Sequence, residues 1–156
     1  MQIPDNWHPS SNCLKNRVIL ITGAANGIGA ATAKACAAQG ATVILLDLNI
    51  RALEQVYDQI ESAGHPQAAI YPLNLEGATE QDYLTLAETI ETEFGRLDGL
   101  VHNAAMLGAL IPVAHFSNEL WHKIIQVNLN APFTLTHACL PLMIKTGDAS
   151  IIFSSD

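Results

Sequence analysis

An open α/β fold with a doubly wound parallel sheet is what this sequence predicts, and three observations predict it. Strand-sized apolar runs such as Val18 to Ile21 and Val43 to Leu46 recur along the chain. Segments with apolar residues at helical spacing separate them, and a glycine-rich turn stands between the first run and the first helix. Runs apolar at every position suit strands covered by helices on both faces.

Each element has its own justification. Arg17 to Thr22 is a β-branched run that stops at Gly23 and predicts the first strand. From Gly27 to Gln39 the chain turns alanine-rich, with Ile28, Ala31, Ala35 and Ala38 on one stripe, and Gly40 supplies a C-terminal stop. Ala41 to Leu46 predicts a second buried strand, followed by a helix with Ile50, Leu53, Val56, Tyr57 and Ile60 on its inner face before Gly64 and Pro66. Ala68 to Leu73 reads as the third strand. Thr79, with Asp82 three residues on, predicts a capped helix start, and Tyr83, Ala87, Ile90 and Phe94 make its inward stripe as far as Gly95. Leu97 to His102 forms the fourth strand. One long helix is expected from about Ser117 to Lys145, its stripe being Phe116, Leu120, Ile124, Val127, Ala131, Leu135, Ala138 and Leu142. Gly147 and Asp148 end it, and Ser150 to Phe153 is the fifth strand. Right-handed crossovers between parallel strands give the order 3-2-1-4-5, with ligands expected where that order reverses, beside the carboxyl ends of strands one and four.

The organisation is simple. Residues 1–16 are polar and broken by Pro4 and Pro9, which predicts an N-terminal arm, and residues 17–156 form one domain. Acidic residues outnumber basic ones 15 to 7, so the formal charge of −8 repels phosphate polymers and anionic lipid. Nucleic acid and membrane surfaces are thereby excluded as partners. No apolar run approaches the roughly 20 residues of a membrane helix, and the arm lacks the apolar stretch of a secretory leader, so a cytoplasmic protein is expected. Cys13, Cys36 and Cys139 are too scattered for a disulfide framework, and the histidines lack the spacing of a helical metal site, so no metal is expected.

Two features carry chemistry. Thr22-Gly23-Ala24-Ala25-Asn26-Gly27-Ile28-Gly29 lies between a strand and an alanine-rich helix, where glycines permit a tight turn and close approach of backbone amides to a pyrophosphate. A turn that only joins strand to helix is the plainer reading. No Lys-Ser or Lys-Thr pair follows Gly29, which leaves nothing to hold a γ-phosphate and its magnesium. Asp47 stands eighteen residues beyond Gly29 at the end of strand two, where a carboxylate accepts hydrogen bonds from a ribose diol and repels a 2′-phosphate. NAD is accordingly expected over NADP, the other reading of Asp47 being a solvated strand-end carboxylate.

The pattern TGxxxGIG from Thr22 to Gly29, Asn103-Ala104-Ala105 after strand four and Val127-Asn128 inside the long helix together resemble the short-chain dehydrogenase/reductase family, over the chain from about Arg17 to Asp156. The resemblance implies a Rossmann-like sheet in which Gly23, Gly27, Ile28 and Gly29 line the pyrophosphate and Asn26 helps hold the loop. It implies adenine contacts from Asn74 and Leu75, although the family usually has an acidic residue where Asn74 stands. Asn103 would brace the central strands, with Ala104 near the adenosine, and the family's glycine after this pair is replaced by Ala105 or Met106. Asn128 matches the active-site asparagine whose backbone carbonyl holds a water in a proton relay. Pro132, four residues later, has no N–H to bond that carbonyl, which would leave it free, although a proline that merely bends the helix would look the same. The serine that polarises the substrate carbonyl falls at the end of strand five, with Ser155 favoured and Ser154 or position 156 as the other registers.

The function these features imply is hydride transfer between a nicotinamide cofactor, NAD preferred, and a small carbonyl or alcohol. Met106 to Val113 is an apolar loop near the expected nicotinamide end and hints at a hydrophobic substrate. The family's general acid is a tyrosine in a YxxxK pattern. None of Tyr57, Tyr71 or Tyr83 has a lysine four residues on, so the chain is expected to be a truncated product, inactive by itself, with Asn128 and Ser155 as its catalytic residues. A non-catalytic dinucleotide-binding module and a methyltransferase of similar fold are the alternatives. The long apolar stripe also implies, through the resemblance, a homo-oligomer when the protein is complete.

Overall fold

β1 (Val18–Thr22) is buried along its whole length, as a strand with apolar side chains on both faces requires. The computed structural model, which describes residues 10–154, places it at the centre of a five-stranded parallel sheet. Its neighbours are β2 (Thr42–Asp47) on one side and β4 (Gly99–His102) on the other. β3 (Ala69–Pro72) lies outside β2 and β5 (Ser150–Phe153) outside β4, so the order is 3-2-1-4-5 as expected. Register pairs Thr22 with Leu46 and Ile21 with Val101, which brings the ends of β1, β2 and β4 together at one edge.

Side chains alternate between two cores, following the period of two in a strand. Leu20, Ile44, Leu46 and Leu100 face α3 (Glu80–Phe94) and α5 (Ala131–Thr146), where Tyr83, Leu86, Ile90, Leu135 and Leu142 meet them. Ile19, Ile21, Val43, Leu45 and Val101 face α1 (Gly27–Ala38) and α2 (Ile50–Ser62). Local signals were sufficient for α3: its start carries the Thr79–Asp82 capping box, and Gly95 closes it in the left-handed conformation.

Two expectations are corrected. The buried face of α1 is Gly29, Ala30, Ala33 and Ala37, while Ile28 is 70% exposed and Ala31, Ala35 and Ala38 face outward. An alanine-rich helix is apolar all round, so its hydrophobicity sets no rotation, and the smallest face turns to the sheet. The single long helix is instead α4 (Asn118–Ile125), a π-helical segment (Gln126–Asn130) and α5. Pro132 sits at the start of α5 and cannot donate to the Asn128 carbonyl, and the turn before it widens, with Ala131 N–H donating to the Gln126 carbonyl. The predicted stripe is buried from Ala131 to Leu142 but only half-buried over Phe116, Leu120, Ile124 and Val127. A different apolar edge of α5, with Phe133 and Ile144, is left exposed. No helix among the described residues is long and apolar enough to cross a membrane.

Candidate active site

The site grows from the end of β1. Thr22 is buried, and its hydroxyl accepts hydrogen bonds from the amides of Asn103 (3.0 Å) and Ala104 (3.1 Å). The Asn103 carboxamide returns two bonds, donating to the carbonyls of Thr22 and Gly23 at 3.2 Å each. Asn103 thus braces β1 against β4, the role that the resemblance implied. This lacing brings the first turn so close to the second that a Cβ at Gly23 would stand 2.9 Å from Ala104 Cα. Gly29 is tighter still: a Cβ there would meet the Gly23 carbonyl oxygen at 2.1 Å.

Gly27 differs from both. Its φ is +51°, a left-handed conformation that suits glycine, yet a Cβ there would meet nothing within 4 Å. It lies on the open side of the turn with Asn26 and Ile28, both exposed. The Asn26 side chain makes no capping bond to α1, contrary to the expectation that it holds the loop, and the first turn of α1 carries no acidic residue. By contrast α2, α3 and α4 are capped by Asn49, by the Thr79–Asp82 box and by Ser117. The first amides of α1 and their positive end of the helix dipole therefore remain available to an anion, and the open glycine lets one come close. These residues fit a dinucleotide diphosphate.

Asp47 ends β2 beside this turn. One carboxylate oxygen accepts from the Ala25 amide (3.3 Å) and the other from Asn49 N–H (3.0 Å), so the group is held against the glycine turn instead of waving in solvent. Asn74 follows β3 on the same edge, where Leu73 N–H donates to the Asp47 carbonyl (3.0 Å). Its side-chain oxygen accepts from Glu76 N–H (3.0 Å), and the Leu75 side chain is buried in the core below. One lone pair of the Asn74 carboxamide oxygen is thus engaged on its own turn, and the second lone pair and both amide hydrogens remain for a base.

Asn128 lies in the π-helical segment, and its carboxamide pairs with the backbone of Met106 in both directions: it accepts from Met106 N–H (2.8 Å) and donates to the Met106 carbonyl (3.0 Å). The loop leaving β4 is thereby tied to the helix that crosses below it. Asn128→Ala is expected to loosen this loop, and amide exchange at Met106 should quicken by about fivefold, the loss of roughly 1 kcal/mol of hydrogen bonding. Exchange at the parent rate would refute the tie. Beyond Met106 the loop is apolar and open, with Leu107 and Leu110 almost fully exposed. Ser154 follows β5 with its amide on the His102 carbonyl (2.9 Å), while Ser155, the favoured serine, and Asp156 lie outside the described residues.

Two buried polar groups have partners that the sequence did not reveal, although His102 falls in the strand end where informative residues were expected. His102 is 5% exposed, stacks on Phe153 at 4.7 Å and shares a 2.9 Å hydrogen bond with Thr136. Burial lowers its imidazole to about 4, so the ring is neutral near pH 7. Asp98 lies at the opposite end of the strands, where Arg17, Arg96 and the Val18 amide converge on its carboxylate. The available signal was the pair of polar residues, Asp98 and His102, that flank the apolar stretch Gly99 to Val101. Among the described residues no cluster of three or more His, Cys, Asp or Glu side chains could hold a metal.

The comparisons with known proteins agree with this geometry. The family model for short chain dehydrogenases matches residues 17–155. The uncharacterized oxidoreductase YciK of Escherichia coli K12 is 39% identical over 150 residues, 96% of this chain and 60% of that protein. A short chain dehydrogenase structure from Pseudomonas syringae superposes with a TM-score of 0.94 at 51% identity, covering 97% of this chain and 62% of that one. Another, from Escherichia coli CFT073 and complexed with NADPH, gives 0.91 at 40% identity over 95% of this chain and 62% of that one. The chain thus spans about 60% of the length of the relatives it matches. A parallel sheet in the order 3-2-1-4-5, a glycine turn opening onto an uncapped helix, and a family match that runs nearly from end to end lead to one conclusion: the chain belongs to the short-chain dehydrogenase/reductase family.

Proposed function

We propose that residues 17–156 are the dinucleotide-binding part of an NAD-dependent oxidoreductase that moves a hydride between nicotinamide and a carbonyl or alcohol. The observation that carries the cofactor preference is the Asp47 carboxylate, held beside the glycine turn by the Ala25 and Asn49 amides. A ribose diol can donate to its remaining lone pairs, whereas a 2′-phosphate would meet a like charge, a juxtaposition costing several kcal/mol. The supporting cast is Gly23, Asn26, Gly27, Ile28 and Gly29 around the diphosphate, Asn74 and Leu75 at the adenine, and Asn103 and Ala104 behind the adenosine. NADPH in the Escherichia coli CFT073 relative favours the competing reading, NADP.

Titration calorimetry on this chain separates the two. NAD should bind at least about tenfold more tightly than NADP, and Asp47→Ser should erase the difference, a change on the order of 1.4 kcal/mol or more. NADP binding as tight as NAD would overturn the preference while leaving the family standing.

When bound, the nicotinamide supplies the hydride; the protein's part is position and electrostatics. Asn128 ties the loop after β4 in place with its side chain, and its backbone carbonyl, which Pro132 cannot engage, is offered to a water that relays a proton. Ser155 donates a hydrogen bond to the substrate oxygen. The apolar, charge-free loop from Met106 to Val113 favours an uncharged, hydrophobic substrate. No tyrosine of these 156 residues has a lysine four positions on, so the chain as given binds the cofactor without turning it over.

A further inference from the structure

His102 does more than fill the core. It ends β4, pairs in register with Phe153 of β5, and its carbonyl receives the Ser154 amide at 2.9 Å. Its ring then adds two contacts in different directions. One is the stack on Phe153, with centroids 4.7 Å apart and planes 17° from parallel. The other is the 2.9 Å hydrogen bond between Nε2 and the hydroxyl of Thr136, one turn into α5 from Pro132. A single imidazole therefore touches both the strand that ends at the serines and the helix that starts at the π-helical segment.

We propose that His102 is a positioning residue that sets the spacing between the end of β5, which leads into the serine pair, and the start of α5, which follows the segment that carries Asn128. The inference rests on the roles given above to Ser155 and Asn128. The physical case begins with the contacts at this residue. The stack and the Ser154 bond hold the end of β5 against β4. On the other side, the widened turn leaves the start of α5 without a regular helical ladder, and the Thr136 bond ties its second turn to the same ring. A neutral ring suits this task, since a charged one buried between a phenyl and a hydroxyl would need a counter-ion. Displacing one catalytic group from another by about 1 Å costs up to roughly 100-fold in rate, so a pin between them has leverage on turnover with little on cofactor binding.

Three variants test it. Thr136→Val removes the hydrogen bond and leaves the stack, His102→Phe keeps the stack and removes the bond, and Thr136→Ser restores the hydroxyl. In the whole protein, kcat should fall about tenfold in the first two, with KM for the nicotinamide cofactor within about twofold of the parent, and Thr136→Ser should recover most of the rate. The double variant should be no slower than either single, since both remove one interaction. Additive losses, or a rise in cofactor KM that matches the fall in kcat, would overturn the proposal. A second arm needs no turnover: in amide spectra of this 156-residue chain, Thr136→Val should move the signals of both Ser154 and Asn128, and Thr136→Ser should return them. Unmoved Ser154 and Asn128 signals sink the positioning role even in an active enzyme. A whole protein inactive on every alcohol and carbonyl, with both signals shifted, sinks the functional reading instead.

Discussion

Gly29→Ala is expected to weaken dinucleotide binding roughly 100-fold and to destabilise the fold, while Gly77→Ala should do neither. The added methyl at position 29 would stand 2.1 Å from the Gly23 carbonyl oxygen and 2.6 Å from the Asn103 carboxamide nitrogen. Both neighbours are held. The Gly23 carbonyl accepts from Asn103 Nδ2, and Asn103 is itself laced to Thr22. Relief therefore requires the helix to lift from the sheet or the brace to break, which puts the cost at about 3 kcal/mol or more, the upper end for overpacking. Either movement displaces the amides proposed to grip the diphosphate, and a loss of roughly 100-fold in affinity is expected. Gly77 meets nothing within 4 Å, so its alanine variant should stay within about 0.5 kcal/mol of the parent. Gly27→Ala separates conformation from collision: the space is open but φ is +51°, and a cost of about 1–2 kcal/mol is expected from backbone strain alone. Denaturation midpoints and calorimetric titration check all three. Parent-like binding by Gly29→Ala would mean that the turn adapts more freely than its packing indicates.

The second large effect lies at the far end of the sheet. Asp98→Ala should cost about 2–3 kcal/mol, because it leaves the buried Val18 amide unpaired and removes the shared partner of two partly exposed guanidinium groups. The Asp98 side chain is 4% exposed and bonds Arg17 at 2.9 Å, Arg96 at 2.6 Å and the Val18 amide at 2.9 Å. Its backbone also donates to Val18 and accepts from Ser150, so one residue joins β1, β4 and β5 at their starts. Asp148 offers the contrast. It bonds Arg17 at 2.7 Å but is 86% exposed, and Asp148→Ala should cost no more than about 1 kcal/mol.

The ionisation of Asp98 predicts a pH dependence. Burial alone pushes its carboxyl up, but Arg96, the Val18 amide and Arg17 together outweigh this and hold it below the usual carboxylate value of 3.8. A group whose acidity is strengthened by folding stabilises the protein above its unfolded pKa, and that contribution is lost as pH falls through the lower, folded value. The gap in urea midpoint between the parent and Asp98→Ala should therefore be widest near pH 7 and narrow as the solution is acidified below 3.8. A gap that stays constant through acidification would show that the cost arises from lost packing and not from charge.

Much of the site was legible because its signals are local. The glycine turn, Asp47 at a strand end and Asn128 four residues before a proline are all features of short windows: the first two stand at the carboxyl end of the sheet, and Asn128 lies in the helical stretch between α4 and α5. What these residues hold on to was not legible. Asn103 and Thr22 are 81 positions apart, and the carboxamide of Asn128 meets a backbone 22 positions away. Asn26, expected to hold the loop, makes no capping bond, because an open anion site leaves the helix start unsatisfied.

Short stretches of the chain were enough to give the strands, most of the helices, the order of the sheet and the end of it where chemistry belongs. Periodicity, caps and breakers act over one or two turns, and the handedness of parallel crossovers does the rest. Only the tertiary structure decided which face of α1 is buried, how the long helix divides at its proline, and which partners satisfy Asp98, His102 and Thr22. The reason is the same in each case. A helix apolar all round has no preferred side until something packs against it, and a buried polar group finds its partner wherever the folded chain brings one.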